Sequence, residues 1–131
     1  MKGYLADIET LTKENSAFRQ VLYTGHNLQL VLMALKPGED IGMETHKTHD
    51  QFFRIETGQG EVVIDGVSSK IKGGDGLIVP AGAKHNLINT GDTSLRLYTI
   101  YAPPNHIDRL IQQTKAEAVA SAEKFDGITS E

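Results

Sequence analysis

Between positions 28 and 101 the chain is a series of short β-branched and apolar runs, each closed by a cluster of turn residues. The run 28–35 ends at Lys36-Pro37-Gly38-Glu39, and 51–56 ends at Thr57-Gly58-Gln59-Gly60. Runs 61–64 and 67–71 flank Asp65-Gly66. This dipeptide predicts a hairpin, because both turn positions require positive φ. Gly73-Gly74-Asp75-Gly76 leads into 77–79, Pro80-Ala81-Gly82 turns again, and 85–89 and 95–101 complete the series around Thr90-Gly91-Asp92. Many short strands at this spacing predict an all-β sandwich or barrel. No long helical pattern interrupts them, which argues against a parallel α/β sheet.

The flanks are patterned differently. Residues 1–27 are mixed, with a short helical turn expected at 7–12 and a first strand at 18–23. Pro103-Pro104 ends the barrel. The segment 107–124 is rich in Ala, Glu, Gln and Lys, which predicts a peripheral helix. Residues 127–131 read as a loose end. We therefore expect one domain over 1–131, with a barrel core at 28–101, an N-terminal segment 1–27 and a helical tail at 105–131.

Length and composition narrow the picture. A chain of 131 residues is about one domain. It has no cysteine, which excludes disulfides and zinc–thiolate sites and suits a reducing compartment. The start, MKGYLADIETLTKEN, does not read as a signal peptide, and no apolar stretch reaches the ~18–20 residues of a membrane span. A cytoplasmic protein with no membrane partner is expected. The formal net charge is −4 and the basic residues are scattered, so the footprint of a nucleic-acid binder is missing. Aromatic residues make up 6%, too few for a base-stacking platform.

Two spaced motifs carry the candidate chemistry. The first is Gly42-x-Glu44-x-His46-x4-Gln51-x6-Gly58, and the second is Gly74-x5-Pro80-x-Gly82-x2-His85-x3-Asn89. Glu44 and His46 are two apart, so on an extended strand they point the same way. Gln51 opens a strand with Phe53 and Ile55 on its face. Pro80 fixes φ where the chain turns, and His85 then begins a strand with Leu87 and Asn89 on its face.

These motifs resemble the two conserved motifs of the cupin superfamily. The second matches at every fixed position. The first matches in spacing, but Glu44 stands where a histidine is usual and Gln51 where a glutamate is usual. The resemblance covers roughly 28–101 and implies a double-stranded β-helix, or jelly-roll barrel, with a short C-terminal helix. The stretch 50–66 looks like a small single-domain subgroup labelled mannose-6-phosphate isomerase-like, a label of sequence similarity. By the same resemblance, Glu44, His46, Gln51 and His85 are the implied ligands of a divalent metal ion. The carboxylate has moved rather than vanished, so the formal charge of the set is unchanged. A sulfur-free N/O set suits Fe, Mn, Ni, Co or Zn without choosing among them. His49, three residues after His46, is a rival ligand. A metal-free pocket with a hydrogen-bonded polar cluster is the bland alternative.

Beyond the metal set, the candidates for proton transfer are His49, Tyr101 and His106. Tyr98 and Tyr101 lie on opposite strand faces, so at most one lines the pocket. Arg54 and Lys84 alternate away from it, and His26 reads as a surface residue. The expected function is an enzyme acting on a small polar or sugar-like metabolite by isomerase, oxygenase or lyase chemistry. The alternatives are a non-catalytic sugar-binding or sensing module, and a barrel whose main role is assembly. A homodimer is expected, with 1–27 packing across the partner's sheet to protect an open edge.

Overall fold

The computed structural model describes residues 2–131. Its strands form two antiparallel sheets facing each other as a jelly-roll barrel. The larger sheet has the order β10-β1-β2-β9-β4-β7 and the smaller β3-β8-β5-β6. In chain order the strands are β1 Arg19–Thr24, β2 Gln29–Leu35, β3 Glu44–Thr45, β4 Asp50–Thr57, β5 Gln59–Ile64, β6 Val67–Lys72, β7 Gly76–Val79, β8 Lys84–Ile88, β9 Leu95–Ala102 and β10 Ile111–Gln112. The all-β double-stranded β-helix read from the sequence is the fold observed.

Alternation decides what enters the core. In β4 and β9 every second residue is buried, which turns Gln51, Phe53 and Ile55, and Leu95, Leu97, Thr99 and Tyr101, to the interior. β2 is buried throughout. Val31, Met33 and Leu35 join the core, while helix α1, Ile8–Glu14, packs across β2, β4 and β9. Asp7 caps α1 by accepting from the Thr10 backbone N–H at 3.1 Å. At the β5–β6 hairpin, Asp65 and Gly66 have φ of 47° and 82°, as an Asp-Gly turn demands.

The flanks depart from expectation. The first strand, expected at 18–23, is an inner strand between β10 and β2 of its own chain, so that sheet edge is closed from within. The helix expected over 107–124 shrinks to α2, Lys115–Ala120. Ile111 and Gln112 are instead a short strand against Gln20 and Arg19. The exposed edge of β1 offers backbone partners that outweigh the weak helix preference there, and the Thr114 side chain then caps α2. The end is not loose: Ser130 N–H donates to Thr24 O at 2.8 Å, and Glu131 accepts from the Tyr23 hydroxyl and from the N–H groups of Lys2 and Gly3. Among the described residues no helix is long and apolar enough to cross a membrane.

Candidate metal centre

The turn at 80–82 aims β8. Gly82 has φ of 89°, a conformation that side chains resist, and its N–H donates to His46 O at 2.8 Å. Two residues of pairing between β3 and β8 then set Glu44 directly opposite His85. His46 follows β3 on the same side as Glu44, its Nε2 3.0 Å from Glu44 Oε2 and its ring 5.5 Å from that of His85. One donor atom each from Glu44, His46 and His85 lies within 4.8 Å of the others. Small side-chain shifts would bring all three onto one ion at the usual distances of ~2.0–2.2 Å.

Two hydrogen-bond deficits identify free acceptors. His85 is 1% exposed, and its Nδ1 faces Ala83 O at 3.2 Å. A carbonyl only accepts, so Nδ1 carries the proton and Nε2 presents a bare lone pair. That atom is buried without a partner. Gln51 is 2% exposed, and its Nε2 donates to Thr99 Oγ1 at 3.0 Å. The Thr99 hydroxyl spends its own proton on Phe52 O, so it must accept from Gln51. This orients the amide and leaves Gln51 Oε1 buried and unpartnered. Each such orphan costs ~1–3 kcal/mol, and a cation relieves both. Gln51 enters from the facing sheet, opposite Tyr101 of β9, whose ring meets that of His46 edge-on at 5.7 Å.

Burial raises the Glu44 pKa. The hydrogen bond with His46, aided by the charge of Arg19, outweighs it and holds the carboxyl below its ordinary value. It is therefore an anionic donor at neutral pH. His49 stays outside the cluster: its Nε2 sits 3.1 Å from Pro104 O and its Nδ1 3.2 Å from Thr48 Oγ1. Arg54 and Lys84 turn outward, and His26 is exposed. Asn89, the last residue of the second motif, braces a turn by donating to Leu35 O and Thr93 O and accepting from Gly91 N–H.

A second set of groups lies at the barrel mouth. His106 is 7% exposed. Its Nδ1 meets Glu123 Oε1 at 2.5 Å, and its Nε2 lies 3.2 Å from the Tyr101 hydroxyl. Burial lowers the His106 pKa; the bond to Glu123 opposes this and does not overcome it. Burial raises the Glu123 pKa, but His106 and the Ile107 N–H bring it below the usual range. Neutral His106 thus donates from Nδ1 to ionised Glu123 and accepts a hydrogen bond from the Tyr101 hydroxyl at Nε2. Burial pushes the Tyr101 phenol well up, so it stays protonated. His106, Glu123, Glu44 and Arg19 all line one cavity of about 310 Å³. The larger hollow of about 670 Å³ over β5 and β6 lies outside the barrel and contains none of these groups. The motifs did not point to Arg19 or Glu123. A charged residue on the inward face of the expected strand 18–23 was the available signal for Arg19; Glu123 had none, because the path of the tail brings it in.

A model of the cupin domain matches residues 31–101. The chain is 45% identical over 126 residues to the uncharacterized protein YrkC of Bacillus subtilis, covering 92% of this chain and 68% of that protein. It is 36% identical over 126 residues to the uncharacterized protein L612 of Acanthamoeba polyphaga mimivirus, covering 92% and 78%. The crystal structure of BH2720 from Bacillus halodurans superposes with a TM-score of 0.90 at 41% identity, covering 92% of this chain and 96% of that one.

Proposed function

This chain belongs to the cupin domain family, and from that premise we propose that it is a metal-dependent enzyme acting on a small polar metabolite inside the barrel. Glu44, His46, Gln51 and His85 are the proposed ligands. The observation that carries this reading is the pair of buried, unpartnered acceptors, His85 Nε2 and Gln51 Oε1, in a pocket with an ionised carboxylate and a second histidine. The donor set fits a divalent ion: neutral imidazoles, one charged oxygen and one amide oxygen. Ala83 O orients His85 and Thr99 orients Gln51, as outer partners of metal ligands commonly do.

A divalent ion held there supplies Lewis acidity toward a carbonyl or hydroxyl oxygen. The chain's own residues supply proton handling. The His106 Nε2 lone pair accepts the Tyr101 hydroxyl, so His106 takes a proton only as that hydroxyl turns away, and Glu123 then stabilises the imidazolium. Tyr101 holds the Nε2 side in place and keeps its own proton. This division suits isomerisation or lyase chemistry at a carbon next to an oxygen. The likeness of 50–66 to the subgroup labelled mannose-6-phosphate isomerase-like belongs to this proposal as sequence likeness and fixes no substrate.

We extend the proposal to a cytoplasmic homodimer in which the N-terminal segment 1–27 packs against the partner's sheet; light scattering that gives a monomer at micromolar concentration would refute the dimer. The metal reading is tested by metal analysis of protein purified from metal-replete growth. Near one equivalent is expected, lost in His85→Ala. A metal-free wild type would leave a non-catalytic binding module as the better account.

A further inference from the structure

Arg19 is a cation buried without an anion. It opens β1 and shares the inward face with Val21; the two are 7% and 3% exposed. Its Nη1 donates to the neutral amide oxygen of Gln112 at 2.7 Å, and its Cζ lies 5.3 Å from the centre of the Phe18 ring. Its Nε is buried and has no partner. Among the described residues no carboxylate stands within ion-pair distance of it. The two carboxylates in the wall of the same cavity are engaged elsewhere, Glu44 with His46 and Glu123 with His106 and the Ile107 N–H. Arg19 shares that cavity wall with Glu44, His106 and Glu123. A buried charge without a counterion is unfavourable, and such groups are ordinarily paired.

We infer that the cavity takes a short hydroxy- or oxo-acid, whose carboxylate lies on the Arg19 guanidinium and whose second oxygen points toward Glu44. The guanidinium fork matches the planar geometry of a carboxylate. The volume, about 310 Å³, is at the small end of ligand pockets, which run roughly 300–1,000 Å³. Phe18 and Ile41 provide an apolar wall for a short carbon chain. Charge favours a monoanion over a phosphate dianion. With a divalent ion in place, Glu44, Glu123 and Arg19 leave one positive charge uncompensated, because Lys115 in the same wall is paired with Asp40. The position of the second oxygen rests on the metal reading above; the carboxylate on Arg19 does not.

The test is calorimetric titration of the full chain, metal-free and cobalt-loaded, with lactate, lactamide and inorganic phosphate. Lactate and lactamide differ mainly in charge. Lactate is expected to bind more tightly than lactamide by roughly 10- to 100-fold in both forms. Arg19→Gln should erase that preference while cobalt uptake, read from its visible absorption, is unchanged. Equal binding of the two probes, or an undiminished preference in Arg19→Gln, overturns the inference and leaves the metal reading intact. Failure to take up cobalt with the lactate preference retained sinks the metal reading alone. Phosphate binding more tightly than lactate overturns the organic-acid assignment. Should Arg19→Gln not fold, the wild-type Arg19 Nε–H resonance decides: it should shift on adding lactate and not lactamide, and the reverse or no shift refutes the inference.

Discussion

Replacing Gln51 with Glu separates a metal site from a polar pocket, because the two predict opposite effects of added metal. The residue is 2% exposed, and its amide donates to Thr99 Oγ1. A carboxylate cannot make that bond, and its two oxygens enter a space where one acceptor already lacks a partner. Without metal, burial should raise the new carboxyl pKa by about 2–3 units, at ~1.4 kcal/mol per unit, or roughly 3–4 kcal/mol of lost stability at pH 7. That corresponds to a fall in melting temperature of roughly 10–15 °C for a domain of this size. Because the folded pKa lies above the unfolded one, the loss is absent below the unfolded value of ~4.3. It grows as pH rises toward the folded pKa. With manganese or cobalt in excess, the same carboxylate becomes a charged ligand. Metal binding then stabilises the folded state by RT ln(1 + [L]/Kd) and should restore the wild-type melting temperature or exceed it. The assay is thermal unfolding by circular dichroism at pH 5 and pH 7, with and without metal. A variant that melts low at both metal concentrations, and binds no ion, would refute the reasoning.

Glu123→Gln should lower the His106 titration midpoint further, since the carboxylate raises it; an NMR titration of the His106 ring that moves upward instead would contradict the dyad. Asn89→Ala removes three hydrogen bonds at a residue 1% exposed, and should cost about 2–4 kcal/mol by denaturant unfolding with little effect on metal content. Glu131 should titrate at about 2, held down first by the Tyr23 hydroxyl and then by the Lys2 N–H. Its folded pKa is below its unfolded one, so its contribution is present above pH ~4.3 and lost as pH falls through the folded value; a carbon-detected NMR titration with a midpoint near 4 would remove that contribution from the account.

The barrel was legible where short-range physics decides. Alternation in β4 and β9 and the positive φ of Asp65 and Gly66 follow from neighbours in the chain. So does the shared side of Glu44 and His46. Long-range partners set the rest. The segment 107–124 favours helix by composition, yet Ile111 and Gln112 pair with β1, more than 90 positions earlier. Glu123 carries no local signal at all, since it reaches His106 only because the tail returns to the mouth. The orientation of Gln51 depends on a proton count at Thr99 and Phe52, which no spacing pattern encodes. Arg19 stood in the sequence only as a charge within the expected strand 18–23, and the folded chain is what shows it buried with no carboxylate in ion-pair reach.

The central claim is that one divalent ion sits among four named donors. Anomalous diffraction from crystals grown with manganese or cobalt tests it most directly. The account predicts a single strong peak within ~2.0–2.3 Å of Glu44 carboxylate oxygen, His46 Nε2, Gln51 Oε1 and His85 Nε2. No peak there at saturating metal, or a peak held by His49 in place of Gln51, would contradict it.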